Sequence, residues 1–140
     1  MRMTDTLVDT NVFLDIAEDD SHWFEWSQRQ LADAINTGAA IISQVVYAEL
    51  AAGYDSAEHL NATLTRQQFR REELPWDAAF MAGLAYLDYR ERGGSRTLPL
   101  PDFFIGAHAA VRGYTLLTRD RGYYATYFPT LKIISPETHP

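Results

Sequence analysis

The order of patterns along this chain predicts an α/β fold around a mainly parallel sheet. Three observations carry that expectation. Short apolar runs of strand length alternate with longer segments of helical period, the arrangement that strand–helix–strand crossovers require. Glycine or proline stands at most of the junctions, where a helix or strand must stop. No internal repeat, low-complexity tract or linker interrupts the 140 residues, so residues 1–140 are expected to form a single domain.

The elements follow in order. Thr6–Asp9 reads as a short buried strand. Thr10 or Asn11 can cap a short helix through about Ala17, because a side-chain oxygen there accepts from the free N–H groups of a first turn. Ser21–Asn36 has the period of a long amphipathic helix, stopped by Gly38. Ala39–Ile42 is a second strand, and Ser43 caps a helix through Ala52 that ends at Gly53. Ala57–Phe69 is helical, and Glu72–Leu74 has the character of an edge strand. Trp76–Arg92 is a long helix ended by Gly93 and Gly94. Residues 93–101 (GGSRTLPLP) form the clearest loop. Asp102–Arg112 is a helix closed by Gly113, and Tyr114–Thr118 is a strand. Arg121–Tyr127 is a short helix, and Lys132–Ile134 is a last strand before Pro136.

Composition narrows the class. A chain of this length with 46% hydrophobic residues can bury a core without covalent staples. It has no cysteine, which excludes disulfides and thiolate metal sites and suits a reducing compartment. No apolar stretch reaches membrane-spanning length, and no signal-peptide hydrophobic region precedes the first strand. A cytoplasmic protein without a membrane partner is therefore expected. The net charge of −7 argues against passive attraction of nucleic acid. Eleven of the twelve basic residues are arginine, the side chain that grips phosphate through a planar fork. A coding bias toward arginine explains the same count equally well.

Four acids stand where a fold would not ordinarily put them. Asp9 and Asp120 each follow a strand-like run, and parallel sheets bind ligands outside the carboxyl ends of their strands. Glu49 lies among Val45, Val46 and Leu50, and Asp102 opens the apolar run Phe103-Phe104-Ile105. A carboxylate beside a core is costly unless it is paired or bound to a cation. The chain has one lysine, and no histidine is a sequence neighbour of the four. The pattern points to a hard divalent cation held by oxygen ligands, and from there to metal-assisted phosphodiester hydrolysis. Taken singly, each acid has a plainer reading: a helix cap for Asp9, a complement to a helix N-terminus for Asp102, a turn for Asp120 and the rim of a stripe for Glu49. Jointly those readings need four unrelated coincidences.

Four segments in this order resemble a known family. They are Leu7-Val8-Asp9-Thr10-Asn11, Val46-Tyr47-Ala48-Glu49-Leu50, Leu100 to Ala109 (LPDFFIGAHA) and Leu117-Thr118-Arg119-Asp120. Together they look like a PIN domain, and more narrowly like the VapC-type ribonuclease toxins of toxin–antitoxin pairs, from about residue 6 to residue 136. The resemblance implies a three-layer α/β/α sandwich and a Mg²⁺- or Mn²⁺-dependent endoribonuclease acting on structured RNA such as tRNA or rRNA. It implies a homodimer and a cognate VapB-type antitoxin whose tail blocks the acidic pocket. By motif match, Asp9, Glu49, Asp102 and Asp120 are the metal-binding acids, and Thr118 is a supporting catalytic hydroxyl. Asn11 is a further supporting candidate, and Tyr123 or Tyr124 is the aromatic that follows the fourth acid.

Two other functions compete. A PIN-like DNA nuclease would carry more acids and a helical arch, for which 140 residues leave little room. A non-catalytic, receiver-type acidic module would pair acids at its first strand end and place Lys-Pro after its last strand, and neither is present. Among the remaining residues, Arg96 and Arg119 lie near enough to the acids in sequence to contact phosphate. Arg66, Arg70 and Arg71 read as a solvated helix end, with RNA phosphates as the alternative. Asp15, Glu18, Asp19, Asp20 and Asp88 are expected in solvent, and so are His22, His59 and His139. His108 is expected to pack rather than ligate. Trp23, Phe24 and Trp26 are expected in the core, with an antitoxin groove as the lesser reading.

Overall fold

The computed structural model describes residues 4–19, 22–93 and 100–140. The elements are β1 (Thr6–Val8), α1 (Thr10–Glu18), α2 (Phe24–Thr37), β2 (Ala40–Ser43), α3 (Gln44–Ala51), α4 (Ala57–Thr63), β3 (Phe69–Glu72), α5 (Trp76–Glu91), α6 (Leu100–Arg112), β4 (Thr115–Leu117), α7 (Gly122–Tyr127) and β5 (Ile133–Ile134). The five strands form one sheet in the order β3-β2-β1-β4-β5, and every pairing is parallel. The chain steps one way along the sheet from β1 to β3 and the other way from β3 to β5. Right-handed crossovers put α1 to α4 on one face and α5 to α7 on the other. This is the three-layer α/β/α arrangement.

The core explains why the central strands are wholly buried and mostly apolar. Leu7, Val8, Ile41, Ile42, Leu116 and Leu117 are all buried, because a parallel sheet covered on both faces leaves no strand side open to solvent. Register then places the functional edge. Thr6 pairs with Ala40 and Leu7 with Ile41, while Val8 pairs with Leu117. The Asp9 N–H donates to the Leu117 carbonyl at 2.9 Å. Asp9 and Thr118 therefore leave the sheet side by side at its carboxyl edge.

The largest departure from the sequence reading lies before the third strand, and α2 begins at Phe24 rather than Ser21. The helix expected over Ala57–Phe69 stops at Thr63, and the strand expected at Glu72–Leu74 is Phe69–Glu72. The Thr65 carbonyl accepts from Gln68 and Phe69, so the chain turns there and Phe69 enters the sheet. The charged run Arg70-Arg71-Glu72 conceals this strand. At a sheet edge its alternation sends Arg70 and Glu72 to the α6 side and Arg71 to the α4 side. A smaller difference lies in α6, which starts at Leu100 rather than Asp102, since proline at 101 is tolerated in a first turn. Among the described residues no helix is long and apolar enough to cross a membrane.

Candidate active site

The first acid is held more tightly than any other. Asp9 is 5% exposed. Its Oδ1 accepts from the Thr10 N–H at 2.7 Å, which caps α1. Its Oδ2 accepts from the Thr118 hydroxyl at 2.9 Å and the Tyr124 hydroxyl at 3.0 Å, with the Asn11 amide at 3.5 Å. The capping reading and the site reading of Asp9 thus both hold: one oxygen starts the helix, and the other is fixed by two elements more than a hundred positions away. Thr118 is itself buried and accepts from the Asp120 N–H at 3.0 Å and the Asn11 amide at 3.3 Å. Asn11 Oδ1 in turn accepts from the Arg119 N–H at 3.1 Å. This net ties the ends of β1 and β4 together.

The four acids come to one place. Asp9, Glu49, Asp102 and Asp120 line a single cavity of about 210 Å³, with Thr10, Asn11, Leu14, Tyr123 and Tyr124. No lysine, arginine or histidine lines it among the described residues. Glu49 and Asp120 are exposed at the rim, while Asp102 is half-buried and Asp9 lies at the floor. The Thr10 hydroxyl donates to Glu49 Oε1 at 2.7 Å and so joins α1 to α3.

Electrostatics report the crowding. Burial, then the charges of Asp9, Glu49 and Asp120, pushes the Asp102 carboxyl up to about 6. Burial also raises Asp9, against the hydrogen bonds from Thr118, Tyr124 and Thr10. Burial raises both tyrosines, and the neighbouring carboxylates add to it, so these phenols stay protonated. The Tyr123 hydroxyl is buried beside Asp102 and Tyr124 without a well-formed hydrogen bond to either.

An oxygen-only, uncompensated anionic cavity fits a hard divalent cation. Among the described residues no three His, Asp or Glu side chains stand close enough to share one ion. Glu49 and Asp120 are the exposed members of the four.

The remaining candidates separate clearly. Of the two tyrosines, Tyr124 bonds Asp9 and Tyr123 faces Asp102. Thr10 is the residue sequence reasoning missed as a site member; its place directly after a strand-end aspartate was the available signal. The Arg119 guanidinium turns away from the cavity. Its Nε donates to Asp15 Oδ2 at 2.8 Å, and the group lies 6.0 Å from the Trp23 ring. Asp15, expected in solvent, is 3% exposed because α1 buries it against Ser27 of α2, whose hydroxyl donates to it at 2.7 Å.

His108 is fully buried, as its packing role requires, and meets Glu72 at 2.7 Å. Arg70 bonds Asp5 and Tyr114, and Arg71 bonds Asn61. Trp26 is in the core, and its indole N–H donates to the His139 carbonyl. Arg96 and Asp20 lie outside the described residues.

Comparison with known proteins agrees with this geometry. The family model described as PIN domain matches residues 6–129. No curated protein sequence matches the chain. Among solved structures, VapBC2 from Rickettsia felis bound to a promoter DNA fragment is similar, with a TM-score of 0.71 at 18% identity over 94% of this chain and 98% of that one. FitAcB from Neisseria gonorrhoeae gives 0.70 at 20% identity, over 96% and 99% of the two chains. A toxin–antitoxin complex from Klebsiella pneumoniae gives 0.70 at 21% identity, over 94% and 98%. At these identities the likeness is one of fold.

Proposed function

This chain belongs to the PIN domain family, a family of nucleases, and on that premise we propose that it is a metal-dependent endoribonuclease of the VapC toxin type. The observation that carries the reading is the uncompensated cavity, where four carboxylates meet without a basic side chain among the described residues. Asp9, Glu49, Asp102 and Asp120 would hold Mg²⁺ or Mn²⁺. When bound, the metal lowers the pKa of water for attack on a phosphodiester and neutralises charge that builds on the phosphate.

The protein's own groups set the geometry. Thr118 and Tyr124 fix Asp9 Oδ2, and the Thr10 N–H takes only one lone pair of Oδ1. Thr10 restrains Glu49 at the rim. The protonated Tyr123 hydroxyl beside Asp102 is a donor available to an incoming phosphate oxygen or water. The test is cleavage of structured RNA by the purified protein with Mg²⁺ or Mn²⁺. EDTA should stop it, and Asp9→Asn or Asp120→Asn should abolish most of it. Cleavage that survives EDTA removes the metal mechanism.

Partners follow from two surfaces. An apolar groove lined by Phe13, Ile16, Leu31, Ile35, Leu50 and Tyr54 lies between α1, α2 and α4. It adjoins a recess lined by Leu14, Glu49, Leu50 and Tyr54, which opens onto the acid cavity through Leu14 and Glu49. A cognate VapB-type antitoxin would lay an apolar segment in this groove and present an arginine to the carboxylates, a bidentate pairing that suits them. A complex whose acid cavity is empty, with its interface elsewhere, refutes this blocking arrangement.

A homodimer would form through α5, which exposes Trp76, Phe80, Leu84 and Leu87 along one side, at 91, 71, 55 and 55%. Monomers rarely expose so large an apolar face. Trp26, one of the aromatics in the cluster near the N-terminus, is in contrast spent on the core.

A further inference from the structure

A second cavity lies on the same sheet edge as the acids and takes no part in the chemistry proposed above. It has a volume of about 330 Å³ and is lined by Ile42, Ser43, Gln44, Tyr47, Arg66, Arg71, Glu72 and Glu73. Its position is fixed by register. Leu7 pairs with Ile41 and Ser43 with Glu72, so Asp9, Ser43 and Glu72 end three neighbouring strands at one level. Adjacent strands are about 4.7–4.9 Å apart, which starts this cleft one strand away from Asp9.

The lining sets an aromatic platform among two arginines and two glutamates. The Arg71 guanidinium lies 5.1 Å from the Tyr47 ring centre. Asn61 holds both members of the stack, accepting from Arg71 Nη2 at 2.6 Å and from the Tyr47 hydroxyl at 2.9 Å. The platform is therefore fixed before any ligand arrives, and Arg71 Nε is buried without a partner. Arg66, exposed in the turn between α4 and β3, makes no hydrogen bond or ion pair among the described residues. Gln44 offers amide donors and an acceptor, and Glu73 adds an exposed acceptor. Glu72 is engaged on the other face, where Tyr114 and His108 bond its two oxygens at 2.7 Å. One free cation, a guanidinium–aromatic stack and mixed polar groups are the elements by which proteins hold an unpaired RNA base and its phosphate.

We propose that this cleft is a nucleotide-binding subsite that positions RNA for the acid cavity, stacking one unpaired base on the Tyr47–Arg71 platform and meeting its phosphate with Arg66. The proposal rests on the ribonuclease reading, and its test separates the two.

The probe is a fluorescein-labelled, mixed-sequence, single-stranded RNA decamer, read by anisotropy. The protein is the full chain carrying Asp120→Asn, an exposed substitution expected to suppress most cutting while Mg²⁺ is present. Adding Arg66→Ala should weaken binding about three- to tenfold and flatten the slope of log affinity against log salt by about 0.7, the value for one phosphate on a single strand. Adding Tyr47→Leu should weaken binding about five- to 100-fold with the salt slope unchanged, as loss of a stacked base does. Tyr47→Phe keeps the ring, loses the Asn61 bond and should bind like the parent. The proposal is overturned if Arg66→Ala and Tyr47→Leu both bind within twofold of the parent. It is also overturned if Tyr47→Phe falls as far as Tyr47→Leu, which marks a merely structural tyrosine. Wild-type cleavage of structured RNA with and without EDTA judges the nuclease reading by itself. Cutting with variant-insensitive binding sinks the subsite alone, and variant-sensitive binding without cutting sinks the nuclease reading alone.

Discussion

At the scale of single residues, the site is a balance between repulsion and restraint. Asp102 carries the measurable consequence. In the fold its carboxyl is pushed up to about 6 from an ordinary value of 3.8, so the folded chain keeps a proton that the unfolded chain releases. Stability without metal should therefore fall as pH rises from about 4 through about 6. Asp102→Asn should flatten that profile and leave the metal-free protein as stable as wild type or more so at pH 7. Denaturant melts in EDTA at the two ends of this window check it. A structural ion pair predicts the opposite, since breaking one costs roughly 3–5 kcal/mol.

All four acids were legible in the sequence because each broke a local pattern. Thr10 and Tyr124 were not assigned with the same clarity. Their roles depend on hydrogen bonds to Glu49 and Asp9 that span 39 and 115 positions, and no local pattern encodes those. Asp15 and Arg119 were misjudged for a related reason: Asp15 looks solvated alone and Arg119 looks free for phosphate, and only the docking of α2 buries Asp15 and gives Arg119 its partner.

At the scale of elements, helix faces decide what the site can be. Gly106 of α6 is the clearest case. A Cβ there would lie 2.5 Å from Phe128 and 3.0 Å from Tyr124, so the absence of a side chain lets α7 settle against α6 and bring Tyr124 to Asp9. Gly106→Ala should cost about 1–3 kcal/mol in a denaturant melt, as overpacking does. It should also lower cleavage in a protein that remains folded, because Tyr124 moves with α7.

Helix α5 poses the opposite problem. Ala78, Ala82 and Tyr89 are buried while Trp76, Phe80, Leu84 and Leu87 face outward. Its apolar residues thus run all round, and the sequence marked it as a helix without revealing which side is free. Phe80→Glu with Leu84→Glu should leave the fold intact and yield a monomer by light scattering at micromolar concentration. A wild type that is already monomeric there removes the α5 dimer. The strand at Phe69–Glu72 was hidden by its charges, since an edge strand needs apolar residues on neither side as strictly as β1 or β4 does.

At the scale of the whole molecule, the sheet order turns four distant acids into one edge. Metal should then act as a ligand of the folded state. With free Mn²⁺ at 100 times its dissociation constant, wild type should gain about 2.7 kcal/mol. Glu49→Gln and Asp120→Asn should lose much of that gain while melting like wild type in EDTA. If Mn²⁺ leaves wild type unchanged and both variants fall by several kcal/mol in EDTA, the acids are scaffold and the nuclease reading fails. The class of fold could be read from alternation, and strand ends marked Asp9 and Asp120, while Glu49 and Asp102 were joined to them by their apolar surroundings and the family motifs. The second cavity could not, because its walls come from α3, the turn before β3 and the hidden strand itself.

The distance along the chain between Asp9 and the groups that orient it also sets a schedule. Thr118 and Tyr124 come 109 and 115 residues after it. At ribosomal speeds of about 5–20 residues per second, roughly 5–20 s of synthesis separate the first acid from its restraints. A nascent chain that has made β1, β2 and β3 holds Asp9 and Glu49 but lacks Asp102, Asp120 and the hydroxyls that aim Asp9. On the nuclease reading, competence would arrive only once β4 and α7 have been made. A chain cut short before them should be inert however much of it has been made.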